Sequence, residues 1–440
     1  MGVMGRMRTA VPATAAVTAA LGLVVGLPGA GYAAAEPLPP YRPAQGAQKV
    51  QGAAITADAP QVEPGKVYTD TLAPGERFYR LNLDDRSTVY VSAVLQPSPG
   101  ARIDSSGDGI KVSIMTTGGG DCPGSSGKAD FGYGSGGRPI GAAGVRRLAE
   151  DAECQQAGVY YAKVTREAAK GSDQTPWPVE LKVTREPGLK TGSAPLPAPS
   201  SWPSAPPVAP GSEAVAREGG TGFNDARALG AGVWRDGLRP GQTRFYRVPV
   251  DWGQQLAVSA ELAGAKRTKE YASASRGLLV SVYTPYRGLL ADKDGSYDGK
   301  QASLALPPTA PVAYENRFAS GDALRSAGTA GWYYVAVTLG QKVAEFTEDA
   351  TPVPLTLRLN VENKAVPAPP YTENPAKAGF AVEEDDRAAA REGLTEPEAL
   401  AAADRRRTMG AVAAGGFGTG TVLLLVLGGW MLLARRGRSA

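Results

Sequence analysis

Chemistry in this chain is sought first in its acidic and glycine-rich loops. Asp292-Lys293-Asp294-Gly295-Ser296-Tyr297-Asp298 sets carboxylates at alternate positions around a glycine. Oxygen donors spaced this way suit a hard cation, and Asp292, Asp294 and Asp298 are candidate ligands for Ca2+. The place where an EF-hand needs its bidentate glutamate is Ser303, so that motif is incomplete. The same residues suit a polar hairpin tip, which is the reading turn chemistry favours. Gly124-Ser125-Ser126-Gly127-Lys128 falls short of a phosphate loop. Cys122 stands where the first glycine belongs, and Ala129 follows the lysine in place of Ser or Thr. Residues 118–144 read instead as a flexible insertion. The chain has no histidine, which removes Ser-His-Asp and Cys-His catalysis. No serine stands out as half of a Ser-Lys dyad, and spacing alone does not place two acids across a cleft. No catalytic residue is assigned, and an enzyme is not expected.

The ends of the chain set its expected compartment. Arg6 and Arg8 precede an uncharged run, then Pro28-Gly29 and Ala33-Ala34-Ala35, the pattern of a signal peptide over residues 1–35. Residues 409–434 form a second uncharged run, about 37 Å long as a helix and long enough to cross a ~30 Å core. Arg435, Arg436 and Arg438 follow it, leaving a cytoplasmic tail of residues 435–440 too short for a domain. Together these features predict a single-pass, type I protein of the plasma membrane with its bulk outside. Cys122 and Cys154, the only cysteines, then read as a disulfide. Closing a loop of roughly thirty residues would contribute ~3–4 kcal/mol. The net charge of +4 includes the arginine-rich flanks of that apolar run. No basic stripe is interleaved with aromatics, so nucleic acid is not an expected partner.

Whatever these residues do, a duplicated scaffold must position them. VYTDTLAPGERFYRLNLDDRSTVYVSAVL, beginning at Val67, returns as VWRDGLRPGQTRFYRVPVDWGQQLAVSAEL, beginning at Val233. AGVYYAKVT at Ala157 returns as AGWYYVAVT at Ala330, and TPWPVELKV at Thr175 as TPVPLTLRL at Thr351. Repeats kept in order imply two copies of one folding unit. Within each copy the apolar period is two. Val89, Val91, Ala93 and Leu95 match Leu256, Val258, Ala260 and Leu262; Ile110, Val112 and Ile114 match Leu278, Val280 and Val282. Val179, Leu181 and Val183 match Leu355, Leu357 and Leu359. Short alternating runs bounded by Gly, Pro, Asp and Asn are sandwich strands, and the predicted fold is all-β. Asn82 is replaced by Pro249 in the second copy, so that strand should be an edge or turn its missing N–H outward. One tyrosine of each pair, Tyr160-Tyr161 and Tyr333-Tyr334, should enter the core, leaving the other for a loop, a neighbouring sheet or a ligand.

The predicted order is a flexible leader (36–54), module 1 (55–187), a proline-rich linker (188–212), module 2 (213–362) and a partly helical stalk (363–408). The linker should hold the modules apart.

The motifs Asn224-Asp225, Ala228-Leu229, Leu238-x-Pro240-Gly241, Phe245-Tyr246 and Ala330-Gly331-Trp332-Tyr333-Tyr334-x-x-Val337 have a common order. Module 1 carries Leu72-x-Pro74-Gly75, Phe78-Tyr79 and Ala157-Gly158-Val159-Tyr160-Tyr161-x-x-Val164, without a clear Asn-Asp pair. The pattern resembles the bacterial pre-peptidase C-terminal domain. That resemblance implies two tandem jelly-roll-like β-sandwiches, non-catalytic and associated with secretion, binding or spacing. The whole arrangement is similar to membrane-anchored surface proteins of high-GC Gram-positive bacteria. The expected function is a cell-surface protein presenting two modules to a protein or a cell-wall polymer. The alternatives are a carbohydrate-binding protein using Trp234, Trp252, Tyr283 and Tyr286 as stacking platforms, and an unrecognised extracellular hydrolase or its accessory subunit.

Overall fold

The computed structural model describes residues 37–436 apart from 99, 105, 133–135, 150–152, 206–210, 212 and 349–350. In the last helix, the side chains of 410–419 and 432–436 fall outside the description. The expected signal peptide (1–35) lies outside the described residues, as do residues 437–440 of the expected tail.

The first repeat forms β1 (Gln48–Lys49), β2 (Val67–Leu72), β3 (Gly75–Leu83), β4 (Thr88–Leu95) and β5 (Gly109–Thr116). It continues with β6 (Gly127–Asp130), β7 (Ile140–Arg146), β8 (Gly158–Glu167) and β9 (Trp177–Glu186). These pair as a five-stranded sheet, β1-β2-β9-β4-β7, and a four-stranded sheet, β3-β8-β5-β6. The second repeat forms β10 (Val215–Ala216), β11 (Arg227–Ala228), β12 (Gly232–Leu238), β13 (Thr243–Val250) and β14 (Gln255–Leu262). It continues with β15 (Ala274–Tyr283), β16 (Leu289–Tyr297), β17 (Ala302–Ala305), β18 (Gly331–Leu339) and β19 (Val353–Glu362). Its sheets run β10-β12-β19-β14-β17 and β11-β13-β18-β15-β16. Strand for strand, the second set of sheets repeats the first, with β11 added at one edge.

The alternating apolar residues fill the two cores. Val89, Val91, Ala93, Leu95, Ile110, Val112, Ile114, Val179, Leu181 and Val183 join both sheets of the first sandwich. Their counterparts from Leu256 to Leu359 do the same in the second. Tyr160 and Tyr333 are the core tyrosines of their pairs. The glycine before each pair is kept by its backbone: Gly158 has φ +155° and Gly331 has φ +135°, where a side chain is strained. Pro249 obeys its constraint. Phe245 N–H and Arg247 C=O bond to Gly220 and Leu229, on the side of β13 away from β18. By strand alternation the Pro249 nitrogen points the same way, past the end of β11.

Arg166 and Trp177 close one end of the first core, the guanidinium lying 3.6 Å over the indole. Its Nη atoms donate to the carbonyls of Leu72, Asp173 and Thr175. Helix α1 (Asp322–Ser326) lies between β17 and β18, and α2 (Glu384–Glu392) and α3 (Glu396–Arg436) follow the second sandwich.

Several expectations are corrected. Residues 118–144 are not merely a flexible insertion: they hold β6 and most of β7, which complete one edge of each sheet. Asp292 and Asp294 lie inside β16, paired opposite Ser281 and Leu279, so the hairpin tip is elsewhere. The linker does not hold the repeats apart, because the sandwiches pack directly on each other. The single-pass plasma-membrane location is also corrected. Among the described residues no helix is long and apolar enough to cross a membrane.

Candidate functional site: a charged seam between the sandwiches

Strand β9 is buried on both faces. Val179, Leu181 and Val183 enter the first core, while Glu180 and Glu186 point the other way, toward the sheet containing β13, β15 and β18. Both carboxylates are 0% exposed. A charge taken out of water needs a paired, fully bonded environment, and each has one.

Glu180 Oε1 accepts from Arg287 Nη1 at 2.6 Å and from the Tyr41 hydroxyl at 3.0 Å. Asn224 Nδ2 donates to both carboxylate oxygens at 3.0 and 2.9 Å, and Ala44 N–H donates to Oε2 at 2.7 Å. Asn224 Oδ1 in turn accepts from Arg287 Nη2 at 2.7 Å. The turn between β15 and β16 aims this arginine. Arg287 has φ +63°, Arg287 N–H donates to Thr284 O at 2.9 Å, and Gly288 N–H donates to the Thr284 hydroxyl at 3.0 Å. A non-glycine residue at this φ is strained by about 1–3 kcal/mol, which the bonds to Glu180 and Asn224 hold in place.

Glu186 forms a bidentate pair with Arg317, Nη1 at 2.9 Å and Nη2 at 2.7 Å. The Tyr90 hydroxyl donates to Oε2 at 2.7 Å, and the Tyr371 hydroxyl donates to Oε1. Arg317 sits in the 3-10 turn Tyr314–Phe318, where its Nε donates to Tyr314 O at 2.9 Å. The guanidinium lies 3.6 Å over the Tyr314 ring. Burial opposes its charge, yet Glu186 and Tyr90 hold its pKa well above that of a free guanidinium. Burial, reinforced by Glu186, raises the Tyr90 phenol well above its ordinary value, so it stays a donor.

Apolar groups fill the seam between the two pairs. Val94 packs with Phe223, Phe245, Tyr283, Tyr334 and Ala336. Tyr90, Ala143 and Val145 pack with Tyr286 and Phe380, Tyr90 stacking on Tyr286 at 4.2 Å. Tyr334, the second tyrosine of its pair, thus belongs to the seam, whereas Tyr161 is half-buried. Segments outside the sandwiches seal the edges. Tyr41 comes from the leader, and Tyr371 and Phe380 from the segment before α2. Glu373 pairs with Arg185 of β9 at 2.9 Å. Trp332 Nε1 donates to Asp386 of α2 at 2.9 Å.

The residues singled out from sequence are placed elsewhere. Cys122 and Cys154 are bonded, with Cα atoms 5.9 Å apart. Asp294 is taken by Arg276 at 2.9 Å, and Asp298 accepts from Lys300 N–H at 2.9 Å. Among the described residues no three His, Cys, Asp or Glu side chains come together as a metal-ligand group. Trp234, Trp252, Tyr283 and Tyr286 are all buried, so they offer no face to a sugar. A cleft of ≈480 Å3 beside Tyr41's segment is lined by Glu218, Asp225 and Glu398. Each of these acids is engaged, by Arg244 at 2.7 Å, Arg42 at 3.9 Å and Arg227 at 3.0 Å.

Sequence reasoning missed Glu180, Glu186, Arg287 and Arg317. Charged residues alternating with apolar ones along a strand read as a solvated face. Their partners lie 107 and 131 residues away, so no local pattern announces the pairing.

No family model matches this chain. No curated protein matches it either. Among solved structures, the pre-peptidase C-terminal domain of a Bacillus anthracis collagenase is 17% identical over 29% of this chain and 94% of its own, at TM-score 0.19. The CBM22 tandem domain of Paenibacillus barcinonensis Xyn10C is 11% identical over 68% and 92%, at TM-score 0.17. The ANX1 ectodomain from Arabidopsis thaliana is 9% identical over 70% and 85%, at TM-score 0.18. Likenesses this loose carry no argument; the sandwich architecture rests on the chain's own strand pairing.

Proposed function

We propose that this chain is a non-catalytic, exported interaction protein in which two β-sandwiches act as one rigid body toward a protein or a cell-wall polymer. The observation that carries this reading is the sealed seam. Its acids and arginines are consumed in holding the sandwiches together, which leaves them unfit for acid–base chemistry and well suited to fixing geometry. The disulfide supports an oxidising compartment. The engaged acids of the ≈480 Å3 cleft weigh against a hydrolase. Burial of the four candidate aromatics removes the basis of the carbohydrate reading. The test is binding of the purified protein to purified cell wall, alongside crosslinked capture from intact cells. Saturable retention without release of soluble wall fragments is the expected result. Fragment release at a rate proportional to added protein would overturn the non-catalytic reading.

A further inference from the structure

Two segments outside the sandwiches carry the same short motif. Pro37-Leu38-Pro39-Pro40-Tyr41 precedes the first sandwich, and Pro367-Ala368-Pro369-Pro370-Tyr371 follows the second. Each delivers its tyrosine hydroxyl to one of the two buried glutamates of β9, Tyr41 to Glu180 and Tyr371 to Glu186. The two charged pairs of the seam are therefore seats of one kind, and a Pro-Pro-Tyr segment fills both.

The seats differ in how firmly they hold it. Around Tyr371 the main chain is stitched down. Lys190 N–H donates to Pro370 O at 2.8 Å, Thr372 N–H donates to Gly188 O at 2.9 Å, and Pro369 is buried. In the leader, Pro37, Pro39 and Pro40 are all exposed, and the contacts gather at and just after the tyrosine. The Tyr41 ring packs against the cluster containing Phe223. A Cβ on Gly222 would stand 2.2 Å from that ring, so a glycine is what opens the floor of the seat. The hydroxyl meets Glu180 and lies 3.1 Å from Asn224 Nδ2. Asn224 Nδ2 is also 3.0 Å from Arg42 O, and Ala44 N–H donates to Glu180 Oε2 at 2.7 Å. An aromatic slot, an acceptor for the hydroxyl and two main-chain contacts are the parts of a peptide-recognition site. A proline-rich segment also loses little conformational freedom when it is seated.

We propose that the Glu180 seat is a recognition site for a Pro-Pro-Tyr segment, filled in cis by the leader and open to the leader of a second copy when its own is withdrawn. The second copy is the source because residues 37–44 are the sequence that fits the seat. The proposal goes beyond wall binding and does not depend on it.

The test uses full-length Tyr41→Ala, which keeps the seat and lacks the tyrosine. A synthetic peptide of residues 37–47 should bind it saturably by calorimetry. Wild type, whose tethered leader competes at an effective concentration of about millimolar, should bind the peptide at least ~10-fold more weakly. Tyr41→Phe within the peptide should weaken binding by about 10- to 100-fold, the range of a lost hydrogen bond to a charged group. Adding Gly222→Leu to the Tyr41→Ala protein should abolish binding. Gly222→Leu alone keeps its leader but has a blocked seat. Mixed with Tyr41→Ala above the peptide's Kd, it should give a dimer in sedimentation that neither variant forms by itself. If Tyr41→Ala does not fold alone, recovery of folded protein on refolding with the peptide replaces the titration. Absence of saturable binding or of that recovery would overturn the proposal, as would equal binding of the tyrosine and phenylalanine peptides. Peptide binding without a mixed dimer would overturn the second copy as the source.

Discussion

Glu186 shows how much of this molecule depends on single buried charges. Removing its charge leaves Arg317 buried without a counter-ion, which costs about 3–5 kcal/mol. Glu186→Gln should therefore lower unfolding stability by that amount, read by urea denaturation. Replacing both partners with apolar residues, Glu186→Leu with Arg317→Met, should recover part of the loss, because no charge is left unpaired, while the Tyr90 and Tyr371 hydroxyls still lack their acceptor. A double variant as unstable as the single one would show that the bidentate geometry itself, and not compensation of charge, matters. At this scale the sequence was least informative. Cys122 and Cys154 were legible because two cysteines in a chain allow only one pairing. Glu180 and Glu186 looked like a solvated strand face, since burial by a distant sheet leaves no mark within ten residues of either.

Elements were far more legible. The alternation of Val89 to Leu95 and of Leu256 to Leu262 gave strand faces directly, because a sheet with one packed core must place every second residue inward. Even Pro249 was placed correctly, by the donor it lacks. What alternation could not show is that β4 and β9 are covered on both faces, nor that Asp292 and Asp294 continue β16. Asp and Gly favour turns, but pairing with β15 overrides that preference. The turn leading into β9 gives a pH prediction. The Thr175 N–H, the Trp177 indole and the Thr175 hydroxyl hold the Asp173 carboxyl below its usual range. A depressed folded pKa means stabilisation that is present above the unfolded value of about 3.9 and lost as pH falls through the folded one. The stability difference between the wild type and Asp173→Asn should thus be constant from about pH 6 to 5 and shrink in more acidic solution. A difference independent of pH down to acid unfolding would contradict this role.

For the whole molecule, duplication predicted two like folds, but it did not predict their fusion. A proline-rich connection reads as a spacer, and composition alone does not say whether the domains it joins attract each other. The attraction comes from apolar groups such as Val94, Phe223 and Tyr334, and from the two arginine–glutamate pairs. The leader and the segment before α2 reinforce it, so two stretches expected to be flexible or spacing are partly structural. A rigid union of the two sandwiches is the basis of the proposed function. Its most direct test is the distance distribution between spin labels at Glu76 and Lys300, exposed positions on the first and second sandwiches. One narrow distance, unchanged by viscosity or dilution, is the predicted result. A broad or multi-peaked distribution, as two sandwiches swinging on a free linker would give, would contradict it.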